Sequence, residues 1–486
     1  MLGMWKSQAT KLFVISILLL DLPRINGSGR SDDYIGEDSA ETPPLSKDVR
    51  GKKKMFGIFR NRSNKQKEPF VMERTDELIR KAGYDAESYL VDVPIGRNII
   101  VEERQGQKLW SKKKGKYTMT TFKIEIFRII HPGRDRLRNL PVVLLMHGAT
   151  GSSSDYVFAG KDDSLGFYLA DSGYDVWLGN LRGNFYGGLN TYKNVSAFWD
   201  FSFHEMGLYD LPTEIDFILS ATGRSKLFYV GFSMGTTSSY VLLSSKTIYN
   251  DKIERMVSLA PVVYLSWTKT SNFLEKLALW NHKFYDTILK LAHVRSYWRS
   301  PLWGYKRPKC HKKWLRPICD LGIQLMSSND VTLCNQELRE KFLKIVPVGT
   351  SWKAVMHYST LATNGKFKPF SYHTSKNRAK YGYDSVPEYE LEYIKVPIFL
   401  LSGEKDGFSP EELMDKLKSK LEGASVTWRT VDKFLHLDFF IAKNLTNLVF
   451  GPVLNYLRDP YSIVDSGNQT TSTKYKENKK KSFVES

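Results

Sequence analysis

The chain has 486 residues, 42% of them hydrophobic and 13% aromatic, enough to bury a large core and to exclude a wholly disordered protein. Its formal net charge of +19 is concentrated in four stretches, 50–67, 108–116, 306–316 and 474–486, which leaves the body of the chain near neutrality. Such runs suit an anionic surface, but no zinc-finger, RRM or helix-turn-helix pattern accompanies them, so nucleic acid is not an expected partner.

The N-terminus carries Lys6 and Lys11 followed by the apolar run "LFVISILLL" (12–20), the pattern of a signal peptide spanning 1–27. Asp21 ends that run, which is too short to cross a bilayer as a helix. No second long apolar run follows. The expected product is a soluble protein of the secretory pathway, secreted or lysosomal, without a transmembrane segment. Glycosylation sequons at Asn61, Asn194, Asn444 and Asn468 agree with that route. Residues 28–68 form an acidic-then-basic leader of low complexity.

The folded part opens at Thr75, expected to cap a short helix ending at Gly83. "TFKIEIFRII" (121–130) alternates as a half-exposed strand does, and "PVVLLMHG" (141–148) reads as a strand buried on both faces. Strands and helices then alternate. The expected helices are 164–173, 204–223 and 234–245, and the expected strands are 174–180, 226–232 and 253–263. This rhythm predicts a mostly parallel, doubly wound α/β sheet over 69–263. It breaks over 264–390, a stretch rich in Trp, Tyr, Lys and His that reads as a mostly helical insertion. It resumes over 391–458 with strands 396–406 and 425–432. The helix at 409–423 is expected to be capped by Ser409 and stopped by Gly423, and the last helix to span 438–457. Residues 459–486 read as a loose basic tail. An insertion leaving a strand's carboxyl end lies over the edge where such sheets bind ligands, the position of a lid.

"GFSMG" (231–235) places Ser233 between two glycines, after an apolar strand and before a helix. That strand–turn–helix context is the nucleophile elbow, in which small residues let strand and helix backbones approach. A serine nucleophile needs a base, and the base needs an orienting carboxylate, in the chain order Ser, acid, His. His436 is the one histidine beyond the last expected strand, and Asp406 follows the strand before it. Asp432 is the rival acid, but it lies only four residues before His436. The oxyanion donors are expected to be the backbone N–H groups of Met234 and Ala149, the latter in the turn after "LLMHG". His147 reads as a structural hydrogen-bonding residue. Cys310, Cys319 and Cys334 are the only cysteines. Three permit at most one intrachain disulfide, and without a C-x-x-C pair they do not suggest a metal site.

Several longer stretches carry more information than the elbow. "KAGYDAESYLV", "GYDVWLGNLRGN", "EMGLYDLPTEIDFI", "VGTSWKAVMHYSTLATNGKFKPF" and "FLHLDFF", with the elbow itself, resemble the acid lipase family, which includes lysosomal and gastric lipases. The resemblance runs through residues 75–457. It implies an α/β-hydrolase with a helical cap, no cofactor, and hydrolysis of neutral lipid esters, triacylglycerols or sterol esters, at a lipid–water interface. It implies Ser233 as nucleophile, Asp406 as acid, His436 as base, Ala149 and Met234 as oxyanion donors, and a cap disulfide between Cys310 and Cys319 that leaves Cys334 free. The chain departs from the family where Phe232 and Met234 replace His and Gln around the serine. It departs again where Ala149 replaces Leu, and where a basic insert occupies 94–116. The readings left open are a lipid-binding protein on the same fold and an esterase for small soluble esters.

Overall fold

The computed structural model describes residues 73–94, 121–133, 139–188, 198–266, 332–372 and 374–462, and four isolated positions (296, 297, 327 and 330). The signal-peptide segment, all four basic runs, the 94–116 insert beyond Pro94, Cys310, Cys319, Asn61, Asn194 and Asn468 lie outside the described residues.

One eight-stranded sheet organises the chain. Its strands are β1 (Asp85–Pro94), β2 (Thr121–Ile130), β3 (Val142–Met146), β4 (Asp175–Leu178), β5 (Leu227–Phe232), β6 (Ile253–Leu259), β7 (Ile398–Gly403) and β8 (Val426–Val431). They lie in the order β1-β2-β4-β3-β5-β6-β7-β8. β1 pairs antiparallel with β2, and β2 with β4; every other neighbouring pair is parallel. Seven of these strands fall where the sequence predicts them. β1 is the addition. Asp85, Glu87 and Asp92 blur its alternation, and only Val91 and Val93 along it are buried. Pairing with β2 rather than its own pattern makes it a strand.

All five residues of β3 are buried, as a central parallel strand requires. The period-2 rule divides them between two cores. Leu144 and Met146 face one cluster with Trp177, Tyr229, Ile398 and Leu400. Val143 and Leu145 face the other with Val176, Val230, Phe399 and Leu401. The first cluster is covered by α3 (Leu211–Thr222), α4 (Met234–Ser245) and α8 (Glu411–Lys420), the second by α2 (Leu165–Asp171) and α10 (Gly451–Arg458). Helices on both faces define the doubly wound arrangement.

Several ends differ from expectation. The first helix, α1 (Thr75–Lys81), has Arg74 rather than Thr75 at its N-cap. Thr75 is buried, and its hydroxyl lies 2.7 Å from the hydroxyl of Ser153. α8 has Pro410 as its N-cap and Leu421 as its C-cap, so neither Ser409 nor Gly423 caps it. The last helix is broken. A short α9 (Asp438–Ile441) is followed by extended Ala442 and by Asn444 with φ of +60°, then a π-turn leads into α10.

Between β6 and β7 the chain leaves the sheet for more than 130 residues. The described part of this excursion holds α5 (Gln336–Ile345), α6 (Trp352–Asn364) and α7 (Thr374–Tyr381). It docks on the core through apolar side chains, among them Phe342, Leu361 and Phe367, and through polar groups. Lys380 pairs with buried Glu205 at 2.6 Å, and the His357 ring stacks on Phe203 with centroids 3.8 Å apart. The returning chain then rejoins the first core cluster through Leu391, Ile394 and Val396.

Candidate functional site

β3 and β5 are adjacent and parallel, but the chain after β3 turns to one side, toward β4, and the chain after β5 to the other, toward β6. Their carboxyl ends therefore flank the switch point, where open α/β sheets form a crevice. Ser233 follows β5 directly. Its φ of 50° and ψ of −112° are outside the regions L-residues favour, a strain typical of functional turns. The surrounding bonds hold it there. Its N–H donates to the Leu259 carbonyl at 3.0 Å, and its own carbonyl accepts from the N–H groups of Thr236 and Thr237. The two glycines are required by close approach. A Cβ on Gly235 would stand 2.6 Å from the Met146 carbonyl oxygen, and one on Gly231 would stand 2.9 Å from the Gly235 carbonyl carbon.

Asp406 and His436 arrive at the same edge from β7 and β8. The Lys405 N–H donates to the Phe434 carbonyl at 2.9 Å, tying the two loops together. His436 Nδ1 lies 2.8 Å from Asp406 Oδ2, and His436 Nε2 lies 2.8 Å from Ser233 Oγ. Burial alone would raise the Asp406 carboxyl, but the His436 ring, the Ser409 hydroxyl and the Phe408 N–H together hold it below the usual carboxylate range. An ionised Asp406 accepts only, so Nδ1–H is the donor, and Nε2 is left to accept the Ser233 hydroxyl proton. The imidazole is packed between Phe232 and Phe408, with ring centroids 5.0 and 4.9 Å away. Asp438 braces the loop, accepting the Leu435 N–H at 2.8 Å. The rival acid, Asp432, is exposed at the end of β8 and takes no part.

Met234 is the first residue of α4, a position whose N–H has no intrahelical acceptor. Its side chain is buried in the first core cluster, while that of Phe232 is buried in the second. Ala149 lies in a turn of residues 148–151, closed by the Gly151 N–H to the Gly148 carbonyl. A Cβ on Gly148 would stand 3.2 Å from the Ser233 Cβ, so this turn abuts the serine. His147, fully buried, supports it from below. Its Nδ1 lies 2.7 Å from the Gly148 carbonyl, and its Nε2 accepts from the Leu181 N–H and the Asn184 amide. Two donors on Nε2 leave Nδ1–H to donate, which is the neutral ring, and burial pushes its pKa down to about 4.

The Leu181 N–H and the Asn184 side chain belong to "GNLRGN", whose role the sequence did not disclose. Asn180 Oδ1 accepts from the Ser153 N–H and from Asn184. Arg182 pairs with fully buried Asp210 of "EMGLYD", with Nε to Oδ1 at 2.7 Å and the backbone N–H to Oδ2 at 2.9 Å. These two stretches thus build the foundation under the 148–151 turn. Ser409, expected as a helix cap, instead donates to Asp406 Oδ2 at 2.7 Å. Cys334 is a buried free thiol and Asn444 is exposed. Among the described residues no group of three His, Cys, Asp or Glu side chains is arranged to hold a metal, and no helix is long and apolar enough to cross a membrane.

Fold and site together define an α/β-hydrolase, and residues 141–301 match the family model described as the alpha/beta hydrolase fold. Over 344 residues the chain is 33% identical to gastric triacylglycerol lipase of Bos taurus, covering 69% of this chain and 85% of that one. It is 31% identical over 385 residues to Lipase 1 of Drosophila melanogaster, covering 79% of each, and 28% identical over 353 residues to human Lipase member K, covering 70% and 86%. The chain belongs to the acid lipase family, the gastric lipase branch of the α/β-hydrolases.

Proposed function

We propose that this protein hydrolyses carboxylic esters of neutral lipids, triacylglycerols or sterol esters, through an acyl-enzyme on Ser233. The observation that carries the reading is the hydrogen-bonded chain Ser233–His436–Asp406, buried at the crevice of the sheet. Ser233 Oγ attacks the ester carbonyl as its proton passes to His436 Nε2. Asp406 holds the resulting imidazolium. The tetrahedral oxyanion accepts hydrogen bonds from the N–H groups of Ala149 and Met234, at the positive end of α4. The alcohol leaves with the proton from His436. Water, deprotonated by the same ring, then attacks the acyl-enzyme and releases the fatty acid. None of these steps calls for a cofactor. The segment 264–390 serves as the cap, with a disulfide between Cys310 and Cys319, and the basic runs help hold the enzyme at an anionic lipid surface. The protein follows the secretory route, with a signal peptide over 1–27 and glycans on the four sequons.

The test is hydrolysis of triolein, a cholesteryl ester and a short soluble ester across pH, with Ser233→Ala as control. Turnover of the lipid esters, lost by at least about 10³-fold in the variant, is expected. A wild type that hydrolyses none of the three overturns the reading. Preference for the soluble ester, with no gain at an interface, replaces a lipase with a small-ester esterase.

A further inference from the structure

The stretch "VGTSW" (348–352) takes no part in the chemistry above, yet it reaches the 148–151 turn. The Val348 N–H donates to the Thr150 carbonyl at 2.7 Å, although the two residues are almost 200 positions apart. Thr150 has φ of +60°. A β-branched residue rarely adopts this left-handed conformation, and one that does is held there by its surroundings. The next residues make Val348 a fixed point. Gly349 turns the chain with φ of +113°. Ser351 is fully buried; its hydroxyl donates to the Phe201 carbonyl and accepts the Ala354 N–H, capping α6. On the opposite side of the turn, the Gly148 carbonyl faces His147 Nδ1. In a trans peptide C=O and N–H point in opposite directions, so the Ala149 N–H is turned away from His147.

We propose that Val348 is a positioning residue for the oxyanion site. Its amide holds the Thr150 carbonyl and so keeps the strained turn in the one shape that aims the Ala149 N–H at the crevice beside Ser233. His147 sets the turn from within the core, and Val348 sets it from the inserted segment. A correctly seated insertion thereby becomes a condition for a competent oxyanion site. This inference rests on the proposed esterase chemistry.

The test replaces the amide. Val348→Pro removes the N–H, and Val348→Ala keeps it. Steady-state kinetics on a short soluble ester avoids any effect of interface binding. Val348→Pro is expected to lower kcat by about tenfold or more with KM within about twofold, since an oxyanion donor acts in the transition state. Val348→Ala recovers most of the rate. Adding Thr150→Gly to Val348→Pro removes the steric cost of the positive φ and recovers part of it, about threefold or more. Circular dichroism and thermal melting follow each variant. Wild-type kcat in a folded Val348→Pro overturns the inference while leaving the esterase reading intact. So does a loss that Thr150→Gly fails to relieve, because that marks a purely structural contact. A wild type inactive on every ester overturns the function, and this inference with it.

Discussion

Asp406 shows how a single side chain is tuned by neighbours from three directions. Its Oδ2 accepts from both His436 and Ser409, and its Oδ1 from the Phe408 N–H. Each charge-assisted bond favours the ionised form against the penalty of complete burial. Removing Ser409 leaves His436 as the only side-chain donor to Oδ2 among the described residues. Ser409→Ala is expected to lower kcat by roughly three- to tenfold with KM nearly unchanged, as steady-state kinetics would read. A change in KM alone would instead assign Ser409 to substrate binding. Ser233, Asp406 and His436 were legible in the sequence because each sits just past an apolar strand, and the fold brings those strand ends to one edge. Ser409 was misread because a serine ahead of Pro410 and a glutamate is also the local pattern of a helix cap. Only the tertiary placement of Asp406 decides between the two uses.

At the scale of elements, α4 and β3 are in backbone contact at Gly235, and this contact sets where the helix begins relative to the crevice. Gly235→Ala places a methyl group 2.6 Å from the Met146 carbonyl oxygen, so helix or strand must shift. A loss of about 1–3 kcal/mol in urea-unfolding stability is expected, with a larger proportional loss of activity, because the shift carries the Met234 amide with it. Unchanged stability and activity would mean that the elbow tolerates a wider turn. The central parallel strands were readable because their buried residues form near-continuous apolar runs. β1 was not, since its residues are half exposed and its identity comes from β2. The last helix was read as one piece for a similar reason. Its apolar spacing continues through 438–457, but Ala442 is drawn into an antiparallel bridge with Cys334, from a segment far earlier in the chain, and the helix breaks there. The support network of Asn180, Asn184, Arg182 and Asp210 could be singled out as unusual but not assigned, because its partners come from separate segments.

Across the whole molecule, buried titratable groups oppose one another. His147 and His204 are pushed down to about 4, and His357 to about 3, by burial. The unfolded chain takes up protons below about pH 6.5 that these rings refuse, so each removes stability as pH falls through that window. Asp155 acts in the opposite sense. Burial raises its carboxyl to about 7, so its contribution is complete below about pH 4 and is lost progressively as pH rises from there to 7. Glu214 is raised well above the normal range by burial and by Asp210, against which the Asn180 backbone N–H lowers it only in part. Asp155→Asn keeps an acceptor for the Ser152 N–H. It is expected to melt close to wild type at about pH 4 and several degrees higher at about pH 8, on the order of 2–4 °C per kcal/mol gained. A difference independent of pH would show that Asp155 is ionised throughout. The chain's return to the sheet has a consequence for engineering. Because Leu391, Ile394 and Val396 belong to the core, the excursion between β6 and β7 is not a cassette with clean seams. A chimera exchanging everything up to β7 with a relative would import these three as foreign core residues, beside Leu361 and Phe367 of the same cluster, along with the new surface. The downstream splice therefore belongs before Tyr389, where the incoming segment still meets the host's own packing.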